Sequence, residues 1–326
     1  MFNFLFGKDT EIYLLNQQNF SSNYQLTTKS CFVMGKNNPP VHILSTAMVD
    51  LKQIVDKKKI ITRISVTDVT GEADHNNFKE SIREMQLFTE INPVIEVERG
   101  ETGKVKRISN MSEIRGEWEK WKDRQLPSAV PDERKQQKVI KNYETGLKLL
   151  EYNFDKNLQY VLLLPECYQF TNYHNPQDLG TTKTYSSRLI EKLDIFYRLR
   201  KRSFSEENPL VKLILDSQSD IEEKEEQLIS FYEKYLPGFS HKDYLFDIKA
   251  EYTFNKNTSE IMNGKLSFIE KLHSDFFYAI ELDLAKQKTT INEEQETTIP
   301  PLSQPQRQPK KKWSILLDDD DSFVIG

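Results

Sequence analysis

Glycine is scarce in this 326-residue chain, with eleven in all. None of them forms a G-x-G-x-x-G, a P-loop or a G-x-S-x-G arrangement. A backbone that must approach a phosphate closely, or present a nucleophile on a sharp turn, relies on such glycines. Their absence counts against nucleotide-loop and hydrolase-elbow chemistry and leaves open an enzyme whose groups assemble from scattered positions. Cysteine is scarcer still: Cys31 and Cys167 stand far apart. Such sparse usage is the habit of a reducing compartment, and the expectation is two inert buried thiols rather than a disulfide. The five histidines include no His-x-x-x-His pair, and no Cys-x-x-Cys occurs, so the ligand spacing of a zinc site is missing. His42, His241 and His273 are isolated.

Charge of one sign is not in excess either. Forty-five Lys and Arg face fifty Asp and Glu, for a net −5. That balance describes a solvated surface and not the basic face of a nucleic-acid binder. No apolar run is long enough to span a bilayer. The opening segment Met1-Phe2-Asn3-Phe4-Leu5-Phe6-Gly7-Lys8 lacks the basic region and apolar length of a signal peptide. Cytoplasmic residence is the expectation.

What the chain has in quantity is aromatic side chains, nineteen Phe and fourteen Tyr. Each removes a large area from water when buried and offsets a modest aliphatic content. Runs of β-favouring residues at 12–15, 24–34, 42–49 and 60–68 predict strands, the last with Ile60, Thr62, Ile64 and Val66 on one face. A helix is expected from Asn77 through Phe88, then a hairpin, 94–99 and 104–109, reversing at Gly100-Glu101-Thr102-Gly103. Asn110 with Glu113 reads as the cap of a helix carrying Ile114, Trp118 and Trp121, and Pro131-Asp132-Glu133 opens a longer one. Tyr160–Leu164 reads as a buried strand, the segment with Leu189, Leu193, Phe196 and Tyr197 as a helix, and 209–215 as a strand. Asp220 with Glu223 reads as the cap of another helix. From Phe246 to Phe254 apolar and polar residues alternate without a fault, and 261–269 and 276–284 follow suit. These three predict an antiparallel meander with one buried face.

The fold expected is α+β: mostly antiparallel sheet with amphipathic helices packed on one face. It occupies residues 1–285, possible lobes being about 1–155 and 156–285. Residues 286–312, rich in Gln, Thr, Glu, Pro and Lys, read as a disordered polar linker, and 313–326 as a separate terminal peptide.

Inside the folded region no constellation rises above its plain structural reading. Asp68, Glu72, Asp74 and His75 could hold a hard cation or a general base, but their spacing is not that of an EF-hand, and an ordinary solvated loop is the expectation. Cys167 and His174, with Glu166 and Asp178 nearby, could pair as thiol and imidazole, yet acidic and aromatic neighbours raise a thiol pKa rather than lower it. Arg198-Leu199-Arg200-Lys201-Arg202 is explained as a helix C-terminus stabilised by the dipole. Trp118 and Trp121 read as core, with a base- or sugar-stacking platform the minority alternative. No cofactor and no metal are expected.

The terminal peptide is different. Trp313, Ile315, Leu316 and Leu317 precede Asp318, Asp319, Asp320 and Asp321, and Phe323, Val324 and Ile325 follow. Exposed apolar clusters beyond a polar tether make sense where something binds them, by strand addition or by docking into a groove with the aspartates on a basic rim. The arrangement is similar in kind to the acidic–apolar tails of bacterial single-stranded-DNA-binding proteins, which recruit partners. The function expected is a non-enzymatic adaptor, chaperone or structural component of an assembly that docks a protein partner through this peptide. The alternatives are a shell around a hydrophobic ligand, or an enzyme with a scattered polar site. The competing reading of the peptide folds it back onto its own domain as an extra strand.

Overall fold

The computed structural model describes residues 12–15, 17–56, 59–75, 79, 82–83, 86–88, 91, 94–171 and 177–287. Thirteen strands lie among them. β1 (Ile12–Leu14) pairs only with β7 (Gln169–Thr171). The others form one eleven-stranded antiparallel sheet: β2 (Phe20–Met34), β3 (Val41–Asp56), β4 (Lys59–Ala73), β5 (Ile95–Arg99), β6 (Val105–Ile108), β8 (Gln177–Ser186), β9 (Asp194–Glu207), β10 (Leu210–Ser219), β11 (Leu245–Asn255), β12 (Ile261–His273) and β13 (Phe276–Lys286). Their order is β6-β5-β4-β3-β2-β13-β12-β11-β10-β9-β8. Nearly every neighbour in space is a neighbour in sequence; the one long-range junction sets β13 beside β2. The alternation in 246–254 is the register of β11, with Phe246, Ile248, Ala250, Tyr252 and Phe254 buried. The meander β11–β12–β13 is present as the alternation predicts.

The sheet curls until its two edges meet. Glu166, in the segment between the helices and β7, accepts a hydrogen bond from the Val105 N–H of edge strand β6 at 3.4 Å. The same carboxylate accepts from the Thr181 N–H and Oγ1 of the opposite edge strand β8, at 2.8 and 2.6 Å, and pairs with Lys183 of β8 at 3.2 Å. Arg99 at the end of β5 donates to the carbonyls of Pro165 and Gly103 and to the Tyr168 hydroxyl. The seam is tight enough to require glycine twice. A Cβ at Gly103 (φ +88) would stand 2.5 Å from the Pro165 carbonyl oxygen, and one at Gly180 (φ +70) 2.7 Å from Glu166 Cβ. Because the two edges are clasped on one polar segment, they offer little template for a foreign strand.

Helices fill and line the concave side. Tyr160–Leu164, expected as a strand, is instead α4 (Leu158–Leu163), capped by Asn157, whose side chain accepts from Gln159 N–H. A short apolar run has no period to distinguish strand from helix. Here Leu162 is fully buried against Gly264 of β12, and Tyr252 of β11 donates to the Val161 carbonyl. α1 (Met111–Arg124), α2 (Leu126–Ala129) and α3 (Glu133–Asn153) precede it. Trp118 stacks on Tyr143 of α3 at 4.2 Å and lies beside Trp121. Asp132 caps α3 as expected, accepting from Lys135 N–H. Asn110 does not cap α1: its amide bridges the Val94 carbonyl and the Glu96 N–H, tying the helix start to β5. Likewise Asp220 makes no cap to the turn that precedes α5 (Glu225–Tyr235) and accepts instead from the Phe196 N–H.

The helix expected around Leu189–Tyr197 is a turn followed by β9. Ile195, Tyr197, Leu199 and Lys201 face inward while Phe196 and Arg198 face out. The apolar spacing there fits both periods, and tertiary pairing with β8 and β10 decides it. No helix among the described residues is long and apolar enough to cross a membrane.

Candidate functional site

Along β2, β3, β4 and β13 the inward register changes character part-way. At one end the inward residues are sealed: Tyr24, Leu26, Val49, Leu51, Ile64 and Leu284 are 0–4% exposed. Further along the same strands, on the same face, Thr28, Ser30 and Phe32 of β2, Ile43, Ser45 and Ala47 of β3, Val66 of β4 and Ile280 of β13 are only half-buried. Cross-strand register makes them one patch. Thr28 lies between Ser45 and Leu282, Ser30 between Ile43 and Ile280, and Ser45 also neighbours Gly71. The patch is bordered by Ile82, whose side chain sits over Gly71, and by Tyr278, which stacks on Phe32 at 4.2 Å. Small side chains withdraw the wall here, where Leu, Ile and Tyr fill the same face elsewhere. Its lining is apolar with three hydroxyls and carries no charge.

Next to this open end stands a polar knot. Glu270 of β12 is fully buried and accepts from the hydroxyls of Tyr185, Tyr244 and Ser187 and from the Arg188 N–H. Burial first, and Glu270 second, push the Tyr185 and Tyr244 phenols far above the ordinary tyrosine value. All four donors belong to structural positions, and the knot anchors the turn before β9 and the approach to β11 onto the meander.

A second concavity lies on the outside. Tyr232, Leu236, Pro237, Phe239 and His241 line a shallow groove of about 490 Å³ at the C-terminal end of α5. Tyr232 is fixed by donating to the Leu272 carbonyl, and Phe239 stacks on His273 at 4.1 Å. Phe239, Tyr235 and Leu245 around it are exposed, an unusual density of large apolar groups for one corner of the surface.

No family model and no curated protein matches the chain. Among solved structures it is similar to a lipovitellin described for its lipid–protein interactions, at 9% identity and a TM-score of 0.39 over 84% of this chain. The chain spans 25% of that one. It is also similar to DynF from the dynemicin biosynthesis pathway of Micromonospora chersina, at 7% identity and a TM-score of 0.20, over 87% of this chain and 88% of that one. Likenesses this distant carry no argument about what the chain does.

The sequence-predicted chemistry is dispersed. β4 continues through the expected acidic loop to Ala73, with Asp68 (φ +51) at a bulge. Asp74 accepts from the His42 N–H, and no cluster of three metal-ligating side chains occurs among the described residues. His174 and the terminal residues Trp313, Ile315, Leu316, Leu317, Asp318, Asp319, Asp320, Asp321, Phe323, Val324 and Ile325 lie outside the described residues, as does the linker after 287. Cys167 is buried, and burial pushes its thiol up to about 12, so it is no nucleophile. In the native protein a thiol reagent should label Cys31, which is partly exposed, and leave Cys167 untouched until denaturant is added. Rapid labelling of both thiols would contradict the packing around Cys167.

Arg198 and Arg200 lie on a strand, so a helix dipole does not account for them; both pair with Asp178 of β8. Lys201, turned inward, lies over the rings of Phe170 and Phe204, where burial lowers its pKa. Trp118 and Trp121 are 1% and 3% exposed, which makes them core and removes the stacking platform. The half-buried inward patch was not sought in the sequence. A signal for it was present: Thr28, Ser30, Ser45 and Ala47 put small residues where neighbouring inward positions carry Tyr, Leu and Val.

Proposed function

We propose that the chain is a non-enzymatic binding protein whose curled sheet takes up a neutral apolar ligand at the open end of its concave face. The observation that carries this reading is the change from sealed to half-buried along a single inward register of β2 and β3. A closed core needs no such opening, and leaving apolar side chains half-solvated forgoes about 25 cal/mol per Å² of burial. The uncharged lining suits an aliphatic or aromatic body, with Thr28, Ser30 and Ser45 able to meet a hydroxyl, ester or amide.

The neutral fluorophore N-phenyl-1-naphthylamine tests it. The full chain should bind the probe with enhanced, blue-shifted emission, and Ser45→Trp, which fills the patch, should weaken binding at least tenfold with the thermal midpoint little changed. Absence of binding, or binding indifferent to Ser45→Trp, would overturn the reading.

The adaptor reading is favoured by a separate observation, the exposed aromatic groove at the end of α5. In it the curled sheet is a scaffold, and the segment from Trp313 to Ile325 captures a protein partner.

A further inference from the structure

We infer that the groove at the C-terminal end of α5 receives the chain's own terminal apolar–acidic peptide, Trp313–Asp321, as an intramolecular ligand. Three observations converge on that occupant. The first is shape and polarity. The groove is walled by Tyr232, Leu236, Pro237 and Phe239, and about 490 Å³ gives room for an indole with an aliphatic neighbour. Trp313 followed by Ile315, Leu316 and Leu317 supplies both. The exposed Phe239, Tyr235 and Leu245 would be covered in the same step.

The second is charge. Lys234, Lys242 and Lys271 stand around the groove without a carboxylate partner among the described residues, whereas Glu225 and Asp275 nearby are engaged by His241 and His273. Glu233 and Asp243 reduce this rim but leave it net positive. Four consecutive aspartates directly after the apolar cluster meet it on the side where Lys242 and Lys271 lie.

The third is reach. The described chain leaves the sheet at the far end of β13 from the groove, because Phe239 and Tyr232 contact His273 and Leu272, at the β12–β13 turn. Eleven residues of β13 separate the two ends, a distance of about 36 Å at about 3.3 Å per residue. Residues 288–312, polar by composition, have a root-mean-square span of roughly 25–30 Å and a contour of roughly 85 Å. The peptide therefore samples the groove at an effective concentration on the order of millimolar, enough to dock with modest intrinsic affinity. A docked peptide also explains how two apolar clusters are kept from aggregation, and it would be the form that a competing partner displaces.

The test uses the full chain with Trp313 replaced by the photoreactive residue p-benzoylphenylalanine. Irradiation should give cross-links within one chain that map to residues 229–241, with a yield independent of protein concentration. Phe239→Asp should cut that yield at least fivefold. So should changing Asp318, Asp319, Asp320 and Asp321 together to Asn, a variant that leaves the folded part untouched should Phe239→Asp fail to fold. Cross-links that map to another surface, cross-links only between chains that vanish on dilution, or no cross-link at all would each overturn the inference.

Discussion

Replacing Glu166 by alanine is expected to destabilise the protein by about 3–5 kcal/mol, the cost of breaking a buried ion pair and stranding one member. Glu166 and Lys183 have side chains only 5% and 7% exposed, so neither can turn to water without opening the seam. The carboxylate also satisfies backbone N–H groups of both sheet edges, Val105 and Thr181. Its loss therefore removes the single group that ties β6 to β8. Replacing both members, Glu166→Leu with Lys183→Met, should recover part of the loss, because no unpaired ion is left behind. The sign of the pH dependence follows from the same contacts. Burial alone would raise the Glu166 pKa, but Lys183 and the Thr181 hydrogen bonds outweigh it and hold the carboxyl below its ordinary value. A depressed folded pKa means a contribution present in full above the unfolded value, about 4.3, and lost as pH falls through the folded one. Urea unfolding at pH 7 and pH 3 should thus show a smaller difference between wild type and Glu166→Ala at the lower pH. A cost under 1 kcal/mol at pH 7 would mean that the edges are held by something else.

How much of this was legible beforehand depended on whether a residue's role is local. The strands whose two faces differ announced themselves: β11 to β13 alternate because one side is core and the other is water. The reversal at Gly100–Gly103 and the cap at Asp132 follow from turn and helix-end chemistry that needs only a few neighbouring residues. What could not be read was set by distant partners. Leu158–Leu163 is apolar all round because it lies inside a curled sheet, and nothing in six residues distinguishes that from a central strand. Glu166 looked like a neighbour of a possible nucleophile, and its actual task, joining strands more than 60 residues apart, depends on closure of the whole sheet. The candidate sites divide the same way. The half-buried patch arises from the register of β2 against β3 and β13, which is a tertiary fact, although the run of small residues that permits it is visible in the chain. The terminal peptide stood out from composition alone; the groove proposed for it draws residues from α5, the following turn and the end of β12.

Glu270→Ala should be of similar severity, about 3–5 kcal/mol, for a different reason. No ion pair is broken there. Instead the hydroxyls of Tyr185, Tyr244 and Ser187 and the Arg188 N–H all lose their acceptor at once in a buried site, at about 1–3 kcal/mol for each that finds no replacement. Water entering the small cavity would satisfy some of them, which keeps the total below the plain sum. Glu270→Gln should cost less, since one acceptor oxygen remains, though its NH2 group then faces a hydroxyl that had been donating. The two phenols add an alkaline signature. Their pKa values are raised by burial and then by Glu270. A raised folded pKa gives stability that is complete below the unfolded tyrosine value, about 10, and is lost as pH climbs above it. Wild-type stability should accordingly fall from about pH 10 upward, with phenolate absorbance from these residues appearing together with unfolding. In Glu270→Ala the decline above that pH should be shallower, because one of the two causes of the raised values is gone. An unchanged alkaline slope, or a loss under 1 kcal/mol at neutral pH, would show that the hydroxyls find other acceptors and that the knot does not hold the turn before β9 onto the meander.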